Sequence, residues 1–394
     1  MRMLLTLIIL FSNMAKAMPN DVKLINNIID PDSFIQKNKK NNLWFAYQVK
    51  AQENTKSMCC WESTNSNIKQ CNLEKLNTSF GSSDSDGLTE NLNIYVKLEK
   101  GKIKNMLSVG DECEVNTGNN QVSWLHEIEL GTSINWLKNI IKNEEQEIVH
   151  SALFALANHY GQMASSSLFD IALLNNDRSE NAVFWLGNSR NDGAVYLKKL
   201  YEQLPNGHVK KHINFALSQS NTPESLAMLK NIALVDENIE QRADAYFWLA
   251  EKGMPGIEDF LLSAINNDNS YEIKDKAIFG LSQVKSEKAN NALFNLVKNN
   301  KKSQIREKAL FWLSQNSPDK AKVAIFEILK NAQSEQEINN AVFTLSQLAI
   351  NNSDTLLFDL LNKDYSRSIK KQALFWLSQS ENIETIQKLQ IILL

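Results

Sequence analysis

From about residue 144 onward, apolar positions recur in one arrangement. It reads "ALFAL" at 152–156, "AVFWL" at 182–186, "INFAL" at 213–217 and "AYFWL" at 245–249. It continues as "AIFGL" at 277–281, "ALFWL" at 309–313, "AVFTL" at 341–345 and "ALFWL" at 373–377. The central Phe falls at 154, 184, 215, 247, 279, 311, 343 and 375, so the interval settles from 30 and 31 to a constant 32. Self-similarity at a fixed period of this size marks a solenoid.

Within one unit the spacing is helical. In "SQIREKALFWLSQNSPDKAKVAIFEILK" (303–330), Ile305, Ala309, Trp312 and Leu313 share a face, while Arg306, Glu307 and Lys308 occupy the other. "NSPD" reads as a turn, with Pro318 opening a second helix and Asp319 in its first turn. Val323, Phe326 and Leu329, with Ile325 beside them, form the apolar side of that second helix. One helical pair cannot bury its apolar face alone, so neighbouring pairs supply the core.

The residue after each central Phe runs Ala155, Trp185, Ala216, Trp248, Gly280, Trp312, Thr344, Trp376. Large and small alternate throughout. Two adjacent indoles would overpack and two adjacent small residues would leave a void. The alternation therefore reads as interlocking packing over a 64-residue double repeat, with an exposed aromatic ladder for sugar or peptide as the competing reading. A Ser-Gln pair follows the motif in five units, at 218–219, 282–283, 314–315, 346–347 and 378–379. At a helix C-terminus such a column can bond free carbonyls, bridge repeats or line a ligand row.

The two-helix unit, the "Ile-Arg/Lys-x-x-Ala-Leu-Phe-x-Leu" first helix and the period near 32 resemble HEAT-like repeats. They are similar to the short bacterial kind that phycobilisome lyases also carry, and the resemblance covers about residues 144–394. It implies an α-solenoid scaffold. It implies no lyase activity, because the repeats are only that family's framework and an exported protein is in the wrong compartment for phycobilin attachment. The combination of leader, Cys-bearing N-terminal region and repeat array is similar to exported bacterial HEAT-repeat proteins, a resemblance that leaves the activity open.

Residues 18–130 lack the repeat. "LWFAYQVKA" (43–51) and "LNIYVKLEKGKIKNMLSV" (92–109) are rich in aromatic and β-branched residues, and the second predicts a hairpin turning near Glu99 to Gly101. "NTSFGSSDSDGLTEN" (77–91) reads as a surface loop, and "SINWLKNIIK" (133–142) as a helix leading into the array. The expected organisation is a leader over 1–17, a small β-rich disulfide-bonded domain over 18–130 and a solenoid of about eight repeats over 131–394. All four cysteines, Cys59, Cys60, Cys71 and Cys113, lie in the small domain. Two disulfides are the simplest use of them in an exported chain. Cys59 and Cys60 are expected to bond separately to Cys71 and Cys113, in an order the spacing leaves open. A tetrathiolate metal site is the alternative.

"MRMLLTLIILFSNMAKAMPN" has the form of a secretory leader: Arg2, an apolar core from Leu4 to Phe11, and a small-x-small site at 15–17. The apolar run is too short to span a bilayer. The mature chain is thus expected to begin near Met18 and to be periplasmic or secreted. The full 394 residues carry a net charge of −3, and their 13 Gly and 6 Pro are few for a turn-rich β fold. No bulk basicity points to nucleic acid.

Catalytic motifs are absent: there is no Gly-x-Ser-x-Gly, P-loop or Gly-rich dinucleotide turn. His208 and His212 in "HVKKH" stand at helical spacing, without the Glu of a His-Glu-x-x-His protease or an evident third ligand. No metal or cofactor is expected. Aligning the second helices places Asn295, Glu327 and Asp359 at one outward position, with Lys298, Lys330 and Asn362 one turn later. This polar, mixed-sign stripe suits a protein or peptide partner. "IQKLQIILL" ends the last helix on apolar residues, which fits a cover supplied by a partner, a second copy or a neighbour's N-terminal domain. The expected function is a non-enzymatic scaffold or adaptor. The alternatives are an enzyme or metal-binding protein with its site where the N-terminal domain meets the array, and a self-associating structural component of the envelope.

The alternation makes one direct prediction. Gly280→Trp introduces a large residue at a small position and is expected to lower stability in urea denaturation by about 1–3 kcal/mol or more. Unchanged stability would mean the alternation is not steric.

Overall fold

The structure, a computed structural model, describes residues 19, 21–27, 30–56, 59–61, 70–74, 79–81, 87–126, 128–220, 222–331, 334–348 and 353–393. The stretch over 1–17 that the sequence reads as a leader lies outside the described residues. The chain forms two compact units, Met1–Leu226 and Ala227–Leu394. It is mainly α-helical, with a β-rich region at the N-terminal end.

The first unit begins with strand β1 (Val22–Ile25), helix α1 (Pro31–Lys37) and strand β2 (Asn42–Lys50). Three short strands follow, β3 (Cys59–Trp61), β4 (Gln70–Asn72) and β5 (Ser79–Gly81). The remaining strands are β6 (Asn91–Glu99), β7 (Lys102–Gly110), β8 (Glu114–Asn116) and β9 (Val122–Leu125). Five of them form a sheet ordered β1-β9-β2-β6-β7. The β6–β7 hairpin turns where the sequence predicted, and its tip residues Lys100 and Gly101 both have positive φ. Gly101 lies 3.2 Å from the Lys39 backbone, measured from where a Cβ would stand, so the position favours glycine twice over.

β2 shows why "LWFAYQVKA" has no polar alternation. Trp44 and Ala46 join a cluster with Tyr95, Trp124 and the four cysteines. On the other face Phe45 meets Phe34 of α1 at 5.2 Å, and Tyr47 meets Trp136 of helix α2 (Leu130–Asn143) at 6.0 Å. A strand covered on both sides has no wet face to mark. The disulfides are Cys59–Cys113 and Cys60–Cys71, which decides between the two orders left open above. The predicted loop over 77–91 contains β5, which pairs antiparallel with β3. Three residues are too few to display a period. Residues 77–78 and 82–86 of that loop lie outside the described residues.

The first unit continues with α3 (Gln146–Asn158), α4 (Gln162–Leu173), α5 (Ser179–Ser189), α6 (Gly193–Gln203) and α7 (His208–Gln219). Helix α8 (Pro223–Val235) begins as this unit ends. In the second unit the first helices of the repeats are α9 (Ile239–Lys252), α11 (Tyr271–Gln283), α13 (Ser303–Asn316), α15 (Glu335–Ser346) and α17 (Arg367–Ser378). Their second helices are α10 (Ile257–Asn267), α12 (Glu287–Asn299), α14 (Pro318–Asn331), α16 (Ser353–Asn362) and α18 (Ile383–Leu393). Every central Phe lies in a first helix. The apolar face of α14 buries Ile325 and Leu329 as expected but turns toward Ala321 and Ala324, which leaves Val323 exposed and Phe326 half-buried.

The indoles are half-buried rather than enclosed. Trp185, Trp312 and Trp376 reach back to the phenyl ring of the repeat before them, whose next residue is small. Phe154 meets Trp185 at 5.4 Å, Phe279 meets Trp312 at 4.9 Å and Phe343 meets Trp376 at 5.0 Å. Such edge and tilted contacts are favourable for aromatic pairs. At Gly280 a Cβ would stand 3.1 Å from Ala250 and 3.3 Å from Leu261, so α11 lies close against α9 and α10 there.

Two polar columns close helix ends. Ser218, Ser282, Ser314, Ser346 and Ser378 each donate to the carbonyl of the central Phe three residues earlier, at 2.6–2.7 Å. The Gln beside each Ser donates to its Oγ. At the other end of the first helix, the basic residue of the repeat pattern reaches the C-terminus of the preceding second helix. Arg242 donates to Ala233 O, Lys274 to Ile265 O and Arg306 to Asn300 O. A cation there meets the negative end of a helix and its unpaired carbonyls.

Because the loop closed by Cys59–Cys113 spans 54 residues and that closed by Cys60–Cys71 spans 11, the two bonds should differ in value. Loop entropy assigns them about 4 and about 3 kcal/mol. Paired Cys→Ala variants compared by urea denaturation should show the larger loss for Cys59/Cys113; a larger loss for Cys60/Cys71 would refute the ranking.

Candidate functional site

Four of the six aligned second-helix residues fall into two neighbouring grooves of the second unit. The first, about 350 Å³, lies between α12 and α14 and has Val297, Ala324 and Ile328 as apolar lining. Its charges are already matched. Lys298 Nζ stands 3.0 Å from Glu327, and Arg306 of α13 pairs with Glu337 of α15. The second groove, about 420 Å³, lies between α14 and α16. Phe326 and Leu356 provide its apolar lining, with Tyr365, Lys322, Lys330, Asp359 and Lys363 around them. Asp359 pairs with Lys363 at 3.1 Å, one helical turn apart. Lys322 and Lys330 make no ion pair among the described residues, so this groove carries a positive excess.

The structure thus joins Lys298 with Glu327 in one groove and Lys330 with Asp359 in the next. Asn295 and Asn362 are exposed and line neither. Sequence reasoning missed Lys322, Phe326 as a lining residue, Leu356 and Tyr365. A signal for the phenyl ring existed: Phe294, Phe326 and Phe358 recur at the 32-residue interval in the second helices. All three remain partly exposed. The first helices carry a parallel column, with Phe311, Phe343 and Phe375 at 48%, 42% and 51% exposure. The Ser-Gln column is engaged locally, with each Ser bonded to its own helix and each Gln to that Ser.

Where the sheet meets the helices lies a constellation that looks catalytic on paper. Ser133 Oγ is 2.8 Å from His159 Nε2, and His159 Nδ1 is 2.8 Å from Ala155 O. A carbonyl acceptor requires the proton on Nδ1, so Nε2 accepts from Ser133, as in a nucleophile–base pair. Tyr47 OH completes the chain at 3.0 Å from Ser133. Both Ser133 and His159 are fully buried, at 0% exposure, so no substrate reaches the hydroxyl in this conformation. Arg190 seals the site from the array side. It donates to Ala157 O, His159 O and Gly161 O and to Ser165 Oγ. Burial holds the His159 imidazole down at about 4, opposed by its bond to Ala155 and assisted by the nearby Arg190 charge. The group therefore folds neutral.

Two sets of side chains gather metal-type donors among the described residues. Cys59, Glu112 and Cys113 form one, but both sulfurs are committed to their disulfide. The other is Glu180 with His208 and His212. No helix among the described residues is long and apolar enough to cross a membrane.

No protein-family model matches the chain, and no curated protein matches it. Solved structures do. Human deoxyhypusine hydroxylase in complex with glycerol is 16% identical, covering 63% of this chain and 96% of its own at a TM-score of 0.27. The YibA protein of Escherichia coli is 13% identical, over 64% and 96% at 0.33. Kap121p bound to Pho4p is 14% identical, over 63% and 29% at 0.29. Likeness at this level concerns the helical-repeat fold alone.

His159 yields a pH prediction. A histidine whose folded pKa lies below its unfolded value of 6.5 contributes fully above 6.5. That contribution is lost as pH falls toward 4. Between pH 6.5 and 5 the loss should be about 2 kcal/mol. His159→Gln should remove that slope relative to the parent in urea denaturation at each pH; parallel curves would show that His159 does not titrate this way.

Proposed function

We propose that this protein is an exported, non-enzymatic scaffold or adaptor that holds a protein or peptide partner on the second-helix surface of its solenoid. The observation that carries the reading is the groove between α14 and α16. It combines an apolar lining, Phe326 and Leu356, with Lys322, Lys330 and Lys363 around one carboxylate, Asp359. An aromatic or aliphatic side chain of the partner would fill the apolar part, and flanking carboxylates would meet the lysines. The favoured partner segment is therefore acidic with an apolar anchor. The groove between α12 and α14 adds surface of balanced charge, with Lys298 and Glu327 already paired.

Two disulfides and the leader-like N-terminus support placement outside the cytosol. The non-enzymatic part of the proposal rests on the closed state of the Ser133–His159 pair.

The test is capture from a bacterial envelope extract by the mature chain (18–394), with bound proteins identified by mass spectrometry and their affinity then measured. Lys330→Glu with Lys363→Glu should weaken the captured partner about tenfold or more. Asp359→Lys should leave binding intact or strengthen it, because it removes the groove's carboxylate. A partner held equally by all three proteins would place recognition away from this groove and overturn the proposal.

A further inference from the structure

His208 and His212 open helix α7, four residues apart, and their rings lie together with centroids 4.9 Å apart. Sequence spacing alone supplied these two donors and no third. The third comes from the preceding repeat. Glu180, in the first turn of α5, directs one carboxylate oxygen to His208 Nδ1 and the other to His212 Nε2, the latter at 3.1 Å. The donor atoms of all three residues lie within 4.8 Å of one another. We infer that Glu180, His208 and His212 form a binding site for a divalent transition metal ion, with zinc as the best match.

The chemistry of the donor set selects the ion. Imidazole nitrogens suit zinc, copper and nickel, whereas calcium and magnesium require oxygen-rich cages. Two His and one carboxylate form a three-ligand set that leaves further positions to water or to a partner's side chain. Bonds of about 2.0–2.1 Å place tetrahedral donors about 3.3 Å apart, so the cluster needs only a small closure of flexible side chains. His208 is 74% exposed, with His212 and Glu180 at 35% and 31%, which leaves a direct entry path. The intervening Lys210 is turned toward the Tyr201 ring, 4.3 Å from its centroid.

The repeat scaffold does not require these histidines. The corresponding positions are Asp177 and Asn181 one repeat earlier, Glu240 and Asp244 one repeat later, and Glu272 and Lys276 in the repeat after that. The pair is thus a local departure from the repeat pattern, placed opposite a carboxylate that completes it. A bound ion would tie α5 to α7, the first helices of consecutive repeats, and present its open positions to solvent.

The test is isothermal titration of Zn2+ into the chelator-treated mature chain at pH 7.5, with Co2+ absorption as a second readout. One ion per chain is expected, at micromolar affinity or tighter, with visible Co2+ bands of low coordination number. His208→Ala with His212→Ala, and separately Glu180→Gln, should each weaken binding at least tenfold while leaving the metal-free melting temperature unchanged. No Zn2+ binding below about 100 μM by the parent chain, or equal binding by the double variant, would overturn the inference. Partner capture plays no part in this measurement.

Discussion

Arg190 is buried together with its charge, and the first unit is organised around that fact. A guanidinium removed from water must find acceptors for its donors. It finds them at Ala157 and His159, where the C-terminus of α3 leaves carbonyls without intrahelical partners, and at Gly161, which precedes α4. The same short segment pairs with the end of β2. Gln52 N donates to Asn158 O at 2.7 Å, and Tyr160 N donates to Lys50 O at 3.0 Å. One cation therefore fixes the loop onto which the sheet docks. His159, Ser133 and Tyr47 continue the polar chain inward. Every atom of that chain is protected from water, which suits a structural joint and closes it to substrate.

The repeats answer a similar question at each helix end. A stack of short helices multiplies unpaired carbonyls, and burial makes each one costly. The repeat pattern meets this with its own side chains: a Ser, braced by the neighbouring Gln, at the end of the first helix, and an Arg or Lys reaching back to the second helix before it. The apolar motif supplies the core, and these polar residues let that core be assembled from helices of only ten to fourteen residues. The aromatic contacts between consecutive first helices then set register, because a large ring fits only beside a small residue.

Function in such an array follows from what the stacking leaves over. Residues that face the core are bound to the repeat period, whereas outward positions on the second helices are free to vary. Lys322, Lys330 and Asp359 are such positions, with Lys363 just past the end of α16, and the spaces between successive second helices turn them into grooves. Their mixture of apolar lining and lysine rim is local to one pair of helices. The Glu180, His208 and His212 cluster arises in the same way on the first helices. It shows how two consecutive repeats can combine side chains that neither repeat brings together alone.

Periodicity made the array legible from the sequence. A 32-residue recurrence of Phe, the Pro318 helix start and the hairpin turn at Gly101 are local signals, and local backbone preference decides them. The Ser-Gln column was readable as a helix end for the same reason. Tertiary structure decided the matters that depend on distance through space. It chose Cys59–Cys113 over Cys59–Cys71, since four cysteines in one small domain carry no pairing information in their spacing. It turned part of a polar loop into β5, because a three-residue strand is specified by its partner β3 and by no period of its own. It moved the buried face of α14 away from Val323, because burial depends on the angle at which a neighbour lies. It also brought Glu180 to a histidine pair 28 residues away. Helical spacing reports which residues share a face of one helix; only packing reports which face of another helix stands opposite.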